Sequence, residues 1–429
     1  KKLFCLALKS GVEFIDLELT LPSEIQYNVL NNKGFTKIIG SHHDFDAAYD
    51  WNDAEWENRY NQALSLDVDI VKFVGTATKF EDNLTLERFR HAHTTKPLIA
   101  INMGQVGQVS RVLNTLLTPI TSKHLDTIAA PGQLTIQEIN QIYTSMGGIT
   151  AKEFFVVGKP IGHSRSPVLH NTGYELLGLP HHFDKFETDS IQEVKKELLD
   201  GKKNLGGLAV TIPLKLDIIQ YMNELSEAAK IIGAVNTVIP IEGGKFKGDN
   251  TDWLGIRNSL IGNGVPNTIS GVSGVVIGAG GTSRAAIYAL HNLGCEKIYL
   301  INRTTSKLEE LKTSFPEEYN LVIVETVEDA DKVQDTISIA GSCVPADKPL
   351  DETLVSKLER CLTKTTQAKF LPTLLEAAYL PAVTPIMKLA KDKYQWHVVP
   401  GAQLLVHQGV AQFEQWTGVT APFQAIFEE

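Results

Sequence analysis

The sequence lacks a disulfide framework. Its four cysteines, Cys5, Cys295, Cys343 and Cys361, lie far apart in 429 residues and form no CxxC or metal-ligand spacing, so neither a stapled fold nor a metal module is expected. No apolar run approaches the roughly 18 residues that cross a bilayer; the longest candidate, Gly274 to Gly281, is short and glycine-rich. Basic charge is not in excess. The 40 Lys and Arg stand against 50 Asp and Glu, a formal net charge of -10, which argues against nucleic acid or a membrane surface as partner. No internal repeat at solenoid period is present. The chain also has no initiating methionine. It opens on Lys1-Lys2 and enters apolar sequence at once, without the pattern of a signal or transit peptide; a piece of something longer, in a reducing cytoplasmic setting, is the expectation.

What remains is globular: 43% hydrophobic and 21% charged residues, in a chain long enough for two or three domains. Up to about Thr150, short apolar runs alternate with polar, helix-like stretches. The runs are Phe14–Leu19, Lys37–Gly40, Asp69–Val74, Pro97–Met103 and a weaker Leu117–Ser122. Runs of this length at helical spacing read as parallel βα units, five of them, part of a barrel or doubly wound sheet. The pattern breaks at Met146–Thr150. A new α/β series follows, with runs at Phe154–Val157, Gly207–Thr211 and Val235–Ile239, and a Gly/Pro/Asn/Ser linker near Gly262–Ser273 closes it. Three domains are expected: 1–150, 151–262 completed by 400–429, and 263–399.

The third opens with Val275-Val276-Ile277-Gly278-Ala279-Gly280-Gly281-Thr282-Ser283-Arg284, a strand, a glycine turn and a helix start. Glycines permit a tight turn and the approach of a pyrophosphate to the helix N-terminus. The match is weak alone, since Ser283 stands where Gly or Ala is usual and small-residue turns start many helices. The next strand, Lys297–Ile301, runs into Asn302-Arg303-Thr304. An NAD enzyme would carry an acid there; Arg303 favours a 2′-phosphate or is a solvated strand-end cation.

Polar clusters also sit at strand ends in the second region. Ser164 and Ser166 lie two residues apart, able to point one way in extended chain; Lys215 is one helical turn beyond Thr211; Asn236-Thr237 and Asp249-Asn250-Thr251-Asp252 complete the set. Each alone could be a turn or cap. Together they suit a small polyhydroxylated acid, and a Lys/Asp pair could move the proton that accompanies hydride transfer.

These segments, GHSRSP, AVTIPLK, GAVNTV, GDNTDW, GAGGTSRA, NRTTSK and LLVHQGVAQFEQWTG, resemble the shikimate dehydrogenase family, in its order, from Phe154 to Glu429. The resemblance implies that Lys215 and Asp252 are the catalytic pair. It implies that Ser164, Ser166, Thr211, Asn236, Tyr379 and Gln408 hold shikimate. Gly278, Ala279, Gly280, Gly281, Thr282, Asn302, Arg303, Thr304, Lys307 and Gly401 would line an NADP site, with no metal. Two segments depart from the family: Gly341–Asp347 replaces an Asn-Ala-Thr, and Glu376 stands where Asp is usual.

In the first region His42-His43-Asp44-Phe45 follows a strand, at the end where α/β barrels keep their sites. Lys72 lies inside an apolar run, where desolvation favours the nucleophilic amine; a snorkelling edge lysine is the alternative. With FIDLEL, HHDF, DIVKF, Ser110-Arg111 and the loop Ala129-Ala130-Pro131-Gly132-Gln133, residues 1 to about 148 resemble type I 3-dehydroquinate dehydratases. That implies Lys72 as imine former, His43 as general acid/base, Arg111 on the carboxylate and Gln133 on the closing loop. FIDLEL matches that family's fourth strand. Strands one to three, a substrate-binding Arg and the Glu that orients the histidine are then expected to be absent, and the domain inactive.

The fold expected is α/β: a partial (β/α)8 barrel followed by a two-lobed dehydrogenase with a Rossmann domain. Such a fusion resembles the C-terminal part of the fungal pentafunctional arom polypeptides, which LPHHFDKFETDS, SCVPAD and AAPGQL favour over the plant-type bifunctional enzymes. Further arom domains upstream and a homodimer are the partners this implies, beside the small-molecule substrates 3-dehydroquinate, 3-dehydroshikimate and shikimate. Quinate-pathway repressors are similar in the same region but lack catalytic residues; Lys215, Asp252, Lys72 and His43 favour an enzyme.

Overall fold

In the computed structural model, which describes residues 2–126, 130–346, 351–365 and 368–428, Lys1, Ala129 and Asp347 lie outside the described residues. The chain divides into two units, Lys1–Thr150 with Leu177–Pro180, and Ala151–Leu176 with His181–Glu429.

In the first unit, β1 (Phe14–Glu18), β2 (Lys37–His43), β3 (Ile70–Thr76) and β4 (Leu98–Met103) form a parallel sheet in sequence order. Helices Ser23–Asn31, Ala54–Ser65 and Glu81–Ala92 make the crossovers that parallel pairing requires. Leu17, Ile38, Val71, Phe73 and Ala100 pack with Trp56, Tyr60 and Leu86 on the helix-covered face. Because side chains alternate along a strand, Asp16, Glu18, Ser41, His43 and Lys72 share the opposite face, and one pairing row joins Glu18, Ser41 and Lys72.

The run at 117–122 forms no strand. Pro119 lacks a ladder donor, Leu117 has a φ of 43°, and Asn114 Nδ2 donates to Leu116 O at 2.7 Å and Thr118 Oγ1 at 2.8 Å. The segment turns instead. The sheet therefore has four strands among the described residues, not five, with β1 and β4 as its edges.

The second unit carries two sheets. β5 (Glu153–Gly158), β6 (His182–Glu187), β7 (Leu205–Val210), β8 (Glu224–Leu225), β9 (Thr237–Ile241) and β10 (Lys245–Asp249) lie in the order β6-β5-β7-β9-β10-β8. Here β9 runs antiparallel to both β7 and β10. β11 (Ser273–Ile277), β12 (Ile298–Ile301), β13 (Leu321–Ile323), β14 (Ile337–Ser342), β15 (Thr373–Glu376) and β16 (His397–Val399) form the other, wholly parallel, in the order β13-β12-β11-β14-β15-β16. That is the doubly wound dinucleotide-binding topology, whose switch point falls between its first and fourth strands, here β11 and β14. Helix Gly401–Thr417 returns to the first sheet, where Trp416 Nε1 donates to Val238 O at 3.0 Å.

Candidate active site

The strand ends of the first sheet and the return helix enclose a cleft. Ser164, Ser166, Thr211, Lys215, Asn236, Asp252, Tyr379 and Gln408 all line it, with Thr282 from the nucleotide-binding lobe and Gly401 at the start of the return helix. Lys215 Nζ lies 2.5 Å from Asp252 Oδ2, with the two side chains 12% and 7% exposed. Asp252 opens helix Asp252–Gly262, where a carboxylate meets the positive end of the helix dipole. Asn236 Nδ2 donates to its other oxygen at 2.8 Å and to Thr251 Oγ1 at 3.0 Å. Burial raises the Tyr379 phenol above its ordinary range.

Ser164 and Ser166 do not lie in extended chain. Ser164 sits in a turn, its Oγ accepting from Ser166 N at 3.3 Å, and Ser166 begins helix Ser166–Leu177. The turn brings both to the cleft. His163, which carried no signal in the sequence, lines it too and lies against Tyr379 at 5.9 Å between ring centroids. Glu376, 1% exposed, accepts from Ala378 N at 3.1 Å and Thr384 Oγ1 at 2.7 Å, fixing the loop that carries Tyr379; burial raises its carboxyl.

The glycine turn fits a dinucleotide. Gly278 has a φ of +114°, and a Cβ there would meet Cys343 O and Ser283 Oγ, each at 2.9 Å, whereas at Gly280 it would meet nothing within 4 Å. The turn is tight at one glycine and open at the other, ahead of helix Gly281–Leu293. Past β12, Arg303, Thr304 and Lys307 are exposed, and neither cation is in an ion pair among the described residues. Asn302 Nδ2 donates to Thr304 O at 3.0 Å, which shapes that turn. Ala279 lies inside the turn, and Gly281 ends it against the cleft, where a Cβ would meet Lys215 Cδ at 3.3 Å.

On the polar face of the first unit Lys72 Nζ lies 2.5 Å from Asp16 Oδ2. His43 Nδ1 pairs with Glu18 Oε1, and its ring stacks on Phe45 at 5.5 Å. A glutamate orienting the histidine, expected to be absent, is therefore present as Glu18 within FIDLEL. The reason is register: Glu18 pairs with Ser41, two residues before His43 on the same face. His42 points the other way, edge-on to Trp56 at 5.6 Å, and burial lowers its pKa. Arg111 is 1% exposed with Nε unpartnered, and burial lowers its pKa as well. Gln133 lies in a loop seated on Gly104, whose N–H donates to Pro131 O at 3.1 Å; the Gln133 Oε1 is buried without a partner. No hydrogen bond joins Arg111 or Gln133 to Lys72 or His43 among the described residues.

A doubly wound nucleotide-binding lobe beside a lysine–carboxylate cleft is the architecture of the nicotinamide-dependent dehydrogenase class, here preceded in the chain by a parallel βα sheet bearing its own lysine and histidine. Family profiles agree region by region. Residues 1–150 match type I 3-dehydroquinase, 156–238 the shikimate dehydrogenase substrate binding domain, 264–371 shikimate/quinate 5-dehydrogenase, and 401–426 the shikimate 5'-dehydrogenase C-terminal domain. The pentafunctional AROM polypeptide of Candida glabrata is 72% identical over all of this chain, which spans 27% of that relative's length. The dehydroquinate dehydratase and shikimate dehydrogenase from S. pombe AroM is 42% identical over the whole chain and 81% of its own, with a TM-score of 0.82. Shikimate 5-dehydrogenase from Thermus thermophilus, in complex with NADP(H) and shikimate, is 27% identical over 65% of this chain and 97% of its own, with a TM-score of 0.53. The chain belongs to the family of fused type I 3-dehydroquinate dehydratases and shikimate dehydrogenases found in the C-terminal region of fungal AROM polypeptides.

Proposed function

We propose that the second unit reduces 3-dehydroshikimate to shikimate with NADPH, and that Lys215 and Asp252 carry the proton chemistry. The observation that supports it most is the 2.5 Å Lys215–Asp252 pair inside a cleft lined by Ser164, Ser166, Thr211, Asn236, Tyr379 and Gln408. Hydroxyls and amides of this kind suit a ring bearing hydroxyls and a carboxylate. The Lys215 ammonium holds the proton that reaches the C3 oxygen as that carbonyl becomes an alcohol, and Asp252 orients the amine. NADPH supplies the hydride when bound. Gly278, Ala279, Gly280, Gly281 and Thr282 would cradle its pyrophosphate, Asn302, Arg303, Thr304 and Lys307 its adenosine phosphate end, and Gly401 would border the cleft.

The first unit is assigned the Schiff-base chemistry of 3-dehydroquinate dehydration. In the longer native polypeptide Lys72 would form the imine, His43 held by Glu18 would move the proton, Arg111 would bind the carboxylate and Gln133 would close over the substrate; in this chain the four-stranded sheet among the described residues leaves that domain incomplete. The domain limits 1–150, 151–262 with 400–429, and 263–399 belong to the same reading. So do further arom domains in the native polypeptide, a homodimer, and a cytoplasmic setting, which four unpaired cysteines suit. No helix among the described residues is long and apolar enough to cross a membrane.

Lys215→Met tests the assignment. Shikimate-dependent reduction of NADP is expected to fall by about 10²–10⁴ while NADP binding, followed by calorimetry, stays at the parent value. Near-parental turnover would falsify the assignment. Shikimate binding without turnover in the parent would favour a regulator instead.

A further inference from the structure

Helix Gly401–Thr417 brings two glutamines, one turn apart, to the cleft. Gln408 is the one legible in the sequence. Gln412 is 1% exposed, and its Nε2 donates to Asn236 O at 3.1 Å and to Thr237 Oγ1 at 3.0 Å. An amide nitrogen only donates, so Thr237 accepts from it and turns its own proton elsewhere. That proton goes to Asn236 Oδ1 at 2.7 Å. The Thr251 backbone N–H donates to the same Oδ1 at 2.7 Å. Two donors on one atom identify it as the oxygen end of the Asn236 amide. Nδ2 therefore faces Asp252 Oδ1, which it reaches at 2.8 Å, and leaves Asp252 Oδ2 for Lys215.

We infer that Gln412 and Thr237 are positioning residues for the Lys215–Asp252 pair, acting through a one-way run of hydrogen bonds, Gln412 to Thr237 to Asn236 to Asp252. The inference rests on the dehydrogenase reading. Each residue in the run is nearly shut off from water: Thr237 is 0% exposed, Asn236 2% and Asp252 5%. Every link of the run is made by a named donor and acceptor, although Gln412 Oε1 itself is buried without a partner, and in such surroundings a broken link is costly. An inverted Asn236 amide would set its oxygen against the Asp252 carboxylate, acceptor to acceptor, and drive the carboxylate off the lysine. Gln412 and Thr237 work against that inversion from behind, without touching the amine themselves.

The test compares Thr237→Val, Thr237→Ser and Gln412→Leu with the parent chain, with Lys215→Met as the reference for a lost catalytic group. The expected result is a fall in kcat of about tenfold to a hundredfold in Thr237→Val and Gln412→Leu. The Kd for NADP, by calorimetry, stays at the parent value, and Thr237→Ser returns most of the lost rate. Valine keeps the shape of threonine and serine keeps its hydroxyl, so a purely packing role would leave valine near the parent rate and serine the slower of the two. If Thr237→Val does not fold, Gln412→Leu breaks the same run one link earlier. An active parent beside Thr237→Val and Gln412→Leu enzymes of unchanged kcat overturns the inference alone. So does a Thr237→Ser enzyme as slow as Thr237→Val. A parent with no shikimate oxidation overturns the dehydrogenase reading, and the inference falls with it.

Discussion

At the scale of single residues, what counts is which buried polar groups have partners. His170 is 0% exposed, stacked on Phe183 at 4.4 Å and beside Trp416 at 5.1 Å, and burial pulls its pKa down to about 3. Unfolded, the same histidine takes a proton near pH 6.5. Between these values the unfolded chain binds the extra proton, so stability falls as the pH drops through that window. His170→Phe keeps the ring stack and removes the titration. Urea unfolding at pH 7 and pH 5 is expected to show a smaller loss on acidification than in the parent, by about 2 kcal/mol. Equal losses in both proteins would contradict the assignment of the acid sensitivity to His170.

Elements decide how the glycines act. Gly278 and Gly280 read alike in GAGGTSRA, yet only Gly278 sits at positive φ with close neighbours, while Gly280 has an extended backbone and open space beyond it. Gly278→Ala is expected to destabilise the fold, through strain and contact with Cys343 O. Gly280→Ala is expected to leave the melting temperature unchanged and to raise the Kd for NADP by about tenfold or more, because its methyl enters the space set aside for pyrophosphate. A parallel fall in melting temperature for both variants would show the two positions to be equivalent. The strand assignments follow the same logic. β11 (SGVVI) and β12 (IYLI) are buried along their whole length, and their apolar residues stood out in the sequence. β6 (HFDKFE) and β10 (KFKGD) are partly exposed, and their polar alternation carries little signal. Leu117–Ser122 was apolar enough to read as a strand, but proline and a local asparagine turn overrode it.

The whole molecule sets the two halves apart. The dehydrogenase unit has both of its sheets and a cleft in which every substrate residue expected from the sequence meets. In the first unit, four strands present Lys72, His43, Asp16 and Glu18 on one face, and no further strand closes over that face among the described residues. An imine in a site open to water is short-lived. Borohydride treatment of this chain with 3-dehydroquinate is therefore expected to trap little adduct on Lys72, while shikimate oxidation proceeds in the same sample; rapid stoichiometric trapping would reverse this expectation. Read alone, the sequence determined the order of its motifs, the α/β alternation and the identity of the chemical groups, because turn glycines, apolar runs and reactive side chains are local properties. Which of these groups meet was set by packing. Glu18 reaches His43 through strand register, Ser164 and Ser166 reach the cleft through a turn, and Gln412 reaches Asn236 across 176 residues of chain. Such contacts depend on which face of a strand or helix a residue occupies, and that is fixed only when the elements pack.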